Sequence, residues 1–226
     1  MSFLKDNRKR GTVGEFLQTI VVSDSKLSIV SAYFTIHAYH ALRKELHSIH
    51  SLRFLFGEPA FIKALDINTP FRSYSIVDDA LAIPAEDVLK QKNIARDCAE
   101  WIREKVDVRS IVKPNFLHGK LYHALHANGV ERAIAGSSNF TSYGLGFGEK
   151  RNIELNLIVD SDRDRADLKS WFDDVWEDNT GLVEDVKDRV LAYLEQLYAE
   201  NEPEFIYFNG IMHLTKQVKI RKVCER

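Results

Sequence analysis

The chain has 226 residues, 45% of them hydrophobic and 28% charged, with 31 basic against 33 acidic side chains. At about 150 residues per domain this is room for one large domain with an appendage. High apolar content and a net charge of −2 exclude a mainly disordered chain. No apolar run approaches the ~18 residues that a membrane span needs. The charged start, with no apolar stretch behind it, predicts no secretory signal. Cys98 and Cys224 stand far apart without metal-type spacing, which suits a reduced, cytoplasmic setting.

The charge is unevenly spread. Residues 1–10 carry a net +3 and residues 216–226 a net +4, so the middle sums to −9. Basic ends are one way to touch nucleic acid, and equally a way to keep a terminus solvated.

In chain order, Lys26–Thr35 is short, β-branched and aromatic and predicts a buried strand. Residues 37–49 have helical spacing through Ala38, Leu42, Leu46 and Ile49, and Ser51–Gly57 predicts the next strand. Strand, helix, strand is the pattern of a parallel βαβ unit. Residues 58–84 read as loop. Residues 85–105 read as a helix with a stripe of Ile94, Cys98, Trp101 and Ile102, edged by Lys105. Val106–Lys113 predicts a strand. Lys120–Ala127 and Val130–Ala135 flank Asn128-Gly129, a strong hairpin signal. Ile153–Asp160 predicts a strand. A helix follows from Asp164, capped by Ser161, with Leu168, Trp171, Phe172, Val175 and Trp176 on its core stripe. A second helix is expected over residues 182–199. These elements predict an α/β body over 1–177, with a largely parallel mixed sheet, and a C-terminal helical extension over 178–226. The tail Phe205–Arg226 reads as cut within an element, as in a longer parent chain.

The chemistry concentrates between His118 and Glu154. His118 and Lys120 stand at i and i+2, so on a strand they share a face. The hairpin's return strand runs into Gly136-Ser137-Ser138-Asn139, bringing polar groups back to the same end. Three histidines (118, 123 and 126) invite a metal reading, but alternation turns His123 to the opposite face, and no metal is expected. Gly144, Gly146 and Gly148 do not form a dinucleotide fingerprint and read as a loop beside the site.

His118-Gly119-Lys120, followed by Gly136-Ser137-Ser138-Asn139 and then Glu154, resembles the phospholipase D superfamily, and the surrounding text is most similar to its nuclease-type branch. That branch includes metal-independent restriction endonucleases and N-terminal domains of some helicases. The resemblance covers about residues 12–177, including Ser31-Ala32-Tyr33-Phe34. It implies an α/β/α sandwich and no cofactor. The fuller family pattern has an aspartate where this chain has Leu125, which leaves Glu154 to supply the carboxylate.

The resemblance also implies a mechanism. His118 would attack phosphorus to form a phosphohistidine, Lys120 and Asn139 would hold the non-bridging oxygens, and Glu154 would orient or charge-pair the histidine. Ser137 and Tyr33 would contact substrate. Such enzymes need two His-x-Lys motifs, and of eight histidines here only His118 heads one. A homodimer follows, its two His118 side chains meeting across a two-fold interface. The expected partner is nucleic acid, with DNA favoured and no membrane, and a helicase partner or parent chain fits the branch. Two other readings stand beside it: a nucleic-acid-binding or targeting module that has lost activity, and a phospholipid phosphodiesterase.

Overall fold

Strand side chains alternate between two apolar sets, and each set has its own helical cover. The computed structural model describes residues 3–59, 62, 65, 85–148 and 151–199. In chain order the elements are β1 (Leu4–Lys5), α1 (Val13–Ile20), β2 (Lys26–Ser31), α2 (Ile36–Ala41), α3 (Arg43–Ser48), β3 (Ser51–Phe56), α4 (Ala85–Lys105), β4 (Val106–Ile111), β5 (Lys120–Leu125), β6 (Glu131–Gly136), α5 (Ser142–Leu145), β7 (Asn156–Val159), α6 (Asp162–Trp176), β8 (Val183–Asp185) and α7 (Lys187–Tyr198). The loop expected over 58–84 lies almost wholly outside the described residues, as does the tail Phe205–Arg226. Among the described residues no helix is long and apolar enough to cross a membrane.

The eight strands form one sheet in the order β1-β7-β6-β5-β2-β3-β4-β8. Only β2–β3 and β3–β4 are parallel, and the other five pairings are antiparallel. The mixed α/β fold is as expected, but its sheet is mostly antiparallel. After the two parallel crossovers the chain returns to the other side of β2 and meanders through β5, β6 and β7.

One face buries Leu27, Ile29, Leu52, Phe54, Val106, Val108, Tyr122 and Ile134 under α1, α2, α3, α4 and α7. The other buries Val30, Leu55, Ile111 and Leu121 under Phe172 and Trp176 of α6. The result is a three-layer α/β/α sandwich. The α4 stripe is buried as its spacing predicts, and Lys105 Nζ donates to the carbonyls of His47 and Ile49 at 2.6 and 2.8 Å. Trp171, expected in the core, is 39% exposed. The segment expected as one helix over 182–199 opens with β8, antiparallel to β4, and only then becomes helical. Its Val190, Tyr193 and Leu194 join the main core.

Polar groups are threaded through the α6 face. Asp173 accepts from Arg53 Nη2 and from Lys169 Nζ, both at 2.5 Å, and the Arg53 guanidinium lies 4.9 Å over the Phe172 ring. The His123 side chain is fully enclosed, its ring nitrogens have no hydrogen-bond partner, and the Glu131 carboxylate stands 3.6 Å away. Burial holds the His123 pKa below its usual value, against the opposing pull of Glu131.

Phe172→Ala removes a fully buried ring from the smaller core and should lower the unfolding free energy by about 3–5 kcal/mol, read from urea denaturation. Unfolded His123 takes a proton more readily than the folded ring, so its contribution to stability is lost as pH falls below about 6.5. His123→Leu should flatten that acid limb; an unchanged limb would assign the sensitivity to another group.

Candidate active site

Three strand pairings bring the motif residues together. In the β5–β6 hairpin Lys120 pairs with Gly136, and Gly136 in turn faces Asn156 of β7. The start of β5, the end of β6 and the approach to β7 therefore meet at the end of the sheet where β2 finishes at Ser31. The hairpin turn closes with Gly129 N donating to the His126 carbonyl at 2.9 Å, and Gly129 alone takes positive φ, at 83°. Asn128 keeps an ordinary φ, so the loop is a turn followed by a glycine bulge, not a turn with two left-handed residues.

Gly136 is required by close approach. A Cβ there would sit 2.2 Å from the Leu155 carbonyl oxygen. That closeness lets Ser137 N donate to the Leu155 carbonyl at 3.1 Å, and Leu155 N donate back to Ser137 Oγ at 3.0 Å. The Ser137 hydroxyl donates to the Glu154 carboxylate. One residue on, Asn156 is buried: its Oδ1 accepts from Ser138 N at 3.1 Å and its Nδ2 donates to Ser138 Oγ at 2.9 Å. Tyr122 donates to the Ser138 carbonyl at 2.8 Å, and burial raises its pKa, so it stays a phenol.

Asn139 is held from the β2 side. Its Oδ1 accepts from Ala32 N at 3.0 Å, with Ser31 Oγ at 3.3 Å. Ser31, fully buried, accepts from Phe140 N at 2.9 Å and donates to the Tyr33 carbonyl at 2.7 Å. Tyr33 is half-buried and packs against the main core. Of the three glycines read as a loop, Gly144 lies within α5, where Thr141 caps its amide at 3.0 Å, and Gly146 terminates the helix with φ 81°.

His118 lies just ahead of β5 and is exposed; its Nε2 is 3.2 Å from the Asn115 carbonyl. Lys120 opens β5, and its ammonium donates to the His118 carbonyl at 2.7 Å. Burial lowers the Lys120 pKa, and the Glu154 charge works against that shift. Within one chain Glu154 is bonded to Ser137, and no hydrogen bond joins it to His118. Leu125 closes the far end of β5, opposite Lys26 and Glu131. His126 is 2.7 Å from the Ile20 carbonyl, apart from the enclosed His123. Among the described residues no group of three or more His, Cys, Asp or Glu is arranged to hold a metal ion.

The arrangement offers an exposed imidazole, an ammonium, a side-chain amide and a carboxylate-bound hydroxyl at one end of a rigid sheet. Its supports, Ser31, Tyr122 and Asn156, are not among the residues that the motif singles out. For Ser31 and Asn156 the signal is a polar residue at the end of an apolar strand, in KLSIVS and in NLIV; Tyr122, an aromatic inside KLYHAL, carries none.

Residues 16–176 match the family described as the PLD-like domain of cardiolipin synthase. No curated protein matches the chain. Polyphosphate kinase from Porphyromonas gingivalis resembles it in structure, with a TM-score of 0.52 and 12% identity, over 81% of this chain and 23% of that one. Phosphatidylserine synthase from Haemophilus influenzae Rd KW20 aligns over 98% of this chain and 45% of its own, at 12% identity and a TM-score of 0.43. The chain thus spans less than half the length of either protein. At such identity the likeness to the kinase speaks for the fold alone. The match to the PLD-like domain spans most of the chain and contains both motifs and Glu154, so the chain belongs to the phospholipase D superfamily.

Proposed function

We propose that this protein is a metal-independent phosphodiesterase that cleaves nucleic acid as a homodimer. The coarse chemistry follows from the superfamily, whose members are phosphoryl-transfer enzymes. What carries the finer reading is the convergence of His118, Lys120, Ser137, Asn139 and Glu154 at one sheet end. One His118 attacks phosphorus, and the new N–P bond forms as the bond to the leaving oxygen breaks. The second copy's His118 gives that oxygen its proton. It then takes a proton from water, whose hydroxyl attacks phosphorus and releases the first histidine. Imidazole suits both tasks because its pKa lies near neutrality. Lys120 and the Asn139 amide nitrogen hold the non-bridging oxygens. A cytoplasmic nuclease joined to a helicase or a defence complex is the setting this reading fits.

A surface feature supports self-association. Ile153, Leu155 and Leu157 alternate along the approach to β7 and are 73, 66 and 57% exposed. Ile153 and Leu155 stand on either side of Glu154 in the chain, so the strip begins at the edge of the site. An exposed aliphatic strip of this kind is costly unless something covers it.

Cleavage of single- and double-stranded DNA in excess chelator should be seen with the intact protein and should vanish with His118→Ala. No cutting, with DNA binding that His118→Ala leaves unchanged, would favour the binding module. Turnover of phospholipid vesicles without any of DNA would favour a lipid phosphodiesterase. Leu155→Asp combined with Leu157→Asp should shift the sedimenting species from dimer to monomer and remove cleavage with it; cleavage by a proven monomer would end the composite-site reading.

A further inference from the structure

The basic residues near the start of the chain are built into the fold. Asp6 accepts from Arg8 N and Arg10 N, both at 2.9 Å, and pairs with the Arg10 guanidinium at 2.9 Å. Asn7 is buried and takes the left-handed conformation, with φ 59°. Its Nδ2 donates to the Gly144 carbonyl at 2.8 Å, and its Oδ1 accepts from Val13 N at 3.2 Å. Asn7 N closes the loop on the Gly11 carbonyl at 3.1 Å. Thr12 and Glu15 then form a reciprocal cap that starts α1 and fixes the exit. These amide bonds hold the Asp6 pKa down to about 2, so the loop's central acceptor stays charged at any ordinary pH.

The loop leans on the walls of the site. The Asp6 carbonyl accepts from Glu154 N at 3.3 Å, and Lys5 pairs with Asn156. Gly144, which holds Asn7, belongs to the short helix just after Asn139. Arg10 is paired with Asp6, whereas Arg8 and Lys9 are exposed and have no acidic partner among the described residues.

We propose that Arg8 and Lys9, on the loop Asp6–Gly11, form a docking element for the phosphates of a nucleic-acid strand that flank the bond being cut at the His118 site. The inference rests on the nuclease reading of that site and supplies its substrate grip. A single small phosphodiester has no charge to place on a loop beyond the site. A strand carries a phosphate at every nucleotide, and a cation fixed beside the cleavage point meets the next ones along. The loop is ordered by its own hydrogen bonds, so little ordering cost falls on binding. The stretch between the two basic ends sums to −9, so a fixed cation pair at the edge of the site offsets part of the repulsion that a polyanion meets there.

The test is the salt dependence of oligonucleotide binding, measured on the full chain in a His118→Ala background so that no cleavage intervenes. Arg8→Gln with Lys9→Gln should weaken binding equally across sequences. It should also reduce the slope of log K against log[salt] by about 1.4–1.8, the loss of two phosphate contacts. Lys44→Gln, an exposed lysine on α3 near the other end of the sheet, should leave the slope alone. Circular dichroism and the unfolding midpoint check that the double variant is folded. An unchanged slope in a folded variant overturns the proposal. So does a loss of binding to anionic lipid vesicles with none to the oligonucleotide. Lost slope together with no cleavage by the intact protein keeps the docking loop and discards only the nuclease.

Discussion

The whole site hangs on how closely the backbones of β6 and β7 approach at Gly136. With no Cβ there, the Leu155 carbonyl can come within reach of Ser137 N, and the two strands exchange bonds through a serine side chain. That exchange sets where Glu154 sits relative to Ser137. It also aligns Asn156 beneath Ser138, so that the Ser-Ser-Asn turn is fastened from below before Asn139 leaves it. Ser31 fastens the same turn from the β2 side through Phe140 N. Asn139 is therefore held by two strands far apart in sequence. Its oxygen is taken up by the Ala32 amide and the Ser31 hydroxyl.

The two cores serve this site unequally. The larger one, under five helices, holds β2 to β5 in place and contains the stacked Phe34 and Phe140 rings, whose centroids are 5.3 Å apart just behind Asn139. The smaller one rests on α6 alone and includes a polar row across the sheet, with Arg53, Asp173 and the enclosed His123. Burying these groups costs desolvation that a purely apolar face would avoid.

Much of this was legible in the sequence. The βαβ opening, the α4 stripe, the Ser161 cap and the hairpin around Gly129 follow from local periodicity and turn chemistry, and the motif residues stood out by order and spacing. Strand direction was not legible. Nothing within Lys120–Leu125 says that it runs against β2, because direction is decided by which edge the chain returns to. β8 was missed because Val183–Asp185 is a polar scrap that becomes a strand only beside β4. The β7 strand begins at Asn156 and not at Ile153, since Glu154 and Leu155 give their amides to Asp6 and to the Ser137 side chain rather than to a neighbouring strand in the ladder. Asn156 and the supporting role of Ser31 were hidden for a related reason: a polar residue in an apolar run reads as a defect until its long-range partners are known.

The sheet's margins have a consequence of their own. Among the described residues, one edge strand is the two-residue β1, and the other is the three-residue β8, which carries Glu184 and Asp185. Strands so short offer almost no run of open amides and carbonyls for a foreign strand to zip onto, and paired acids repel a like copy. The protein is thus guarded against growing sideways into an extended ribbon, even though its interior strands are rich in the apolar sequences that aggregate when exposed.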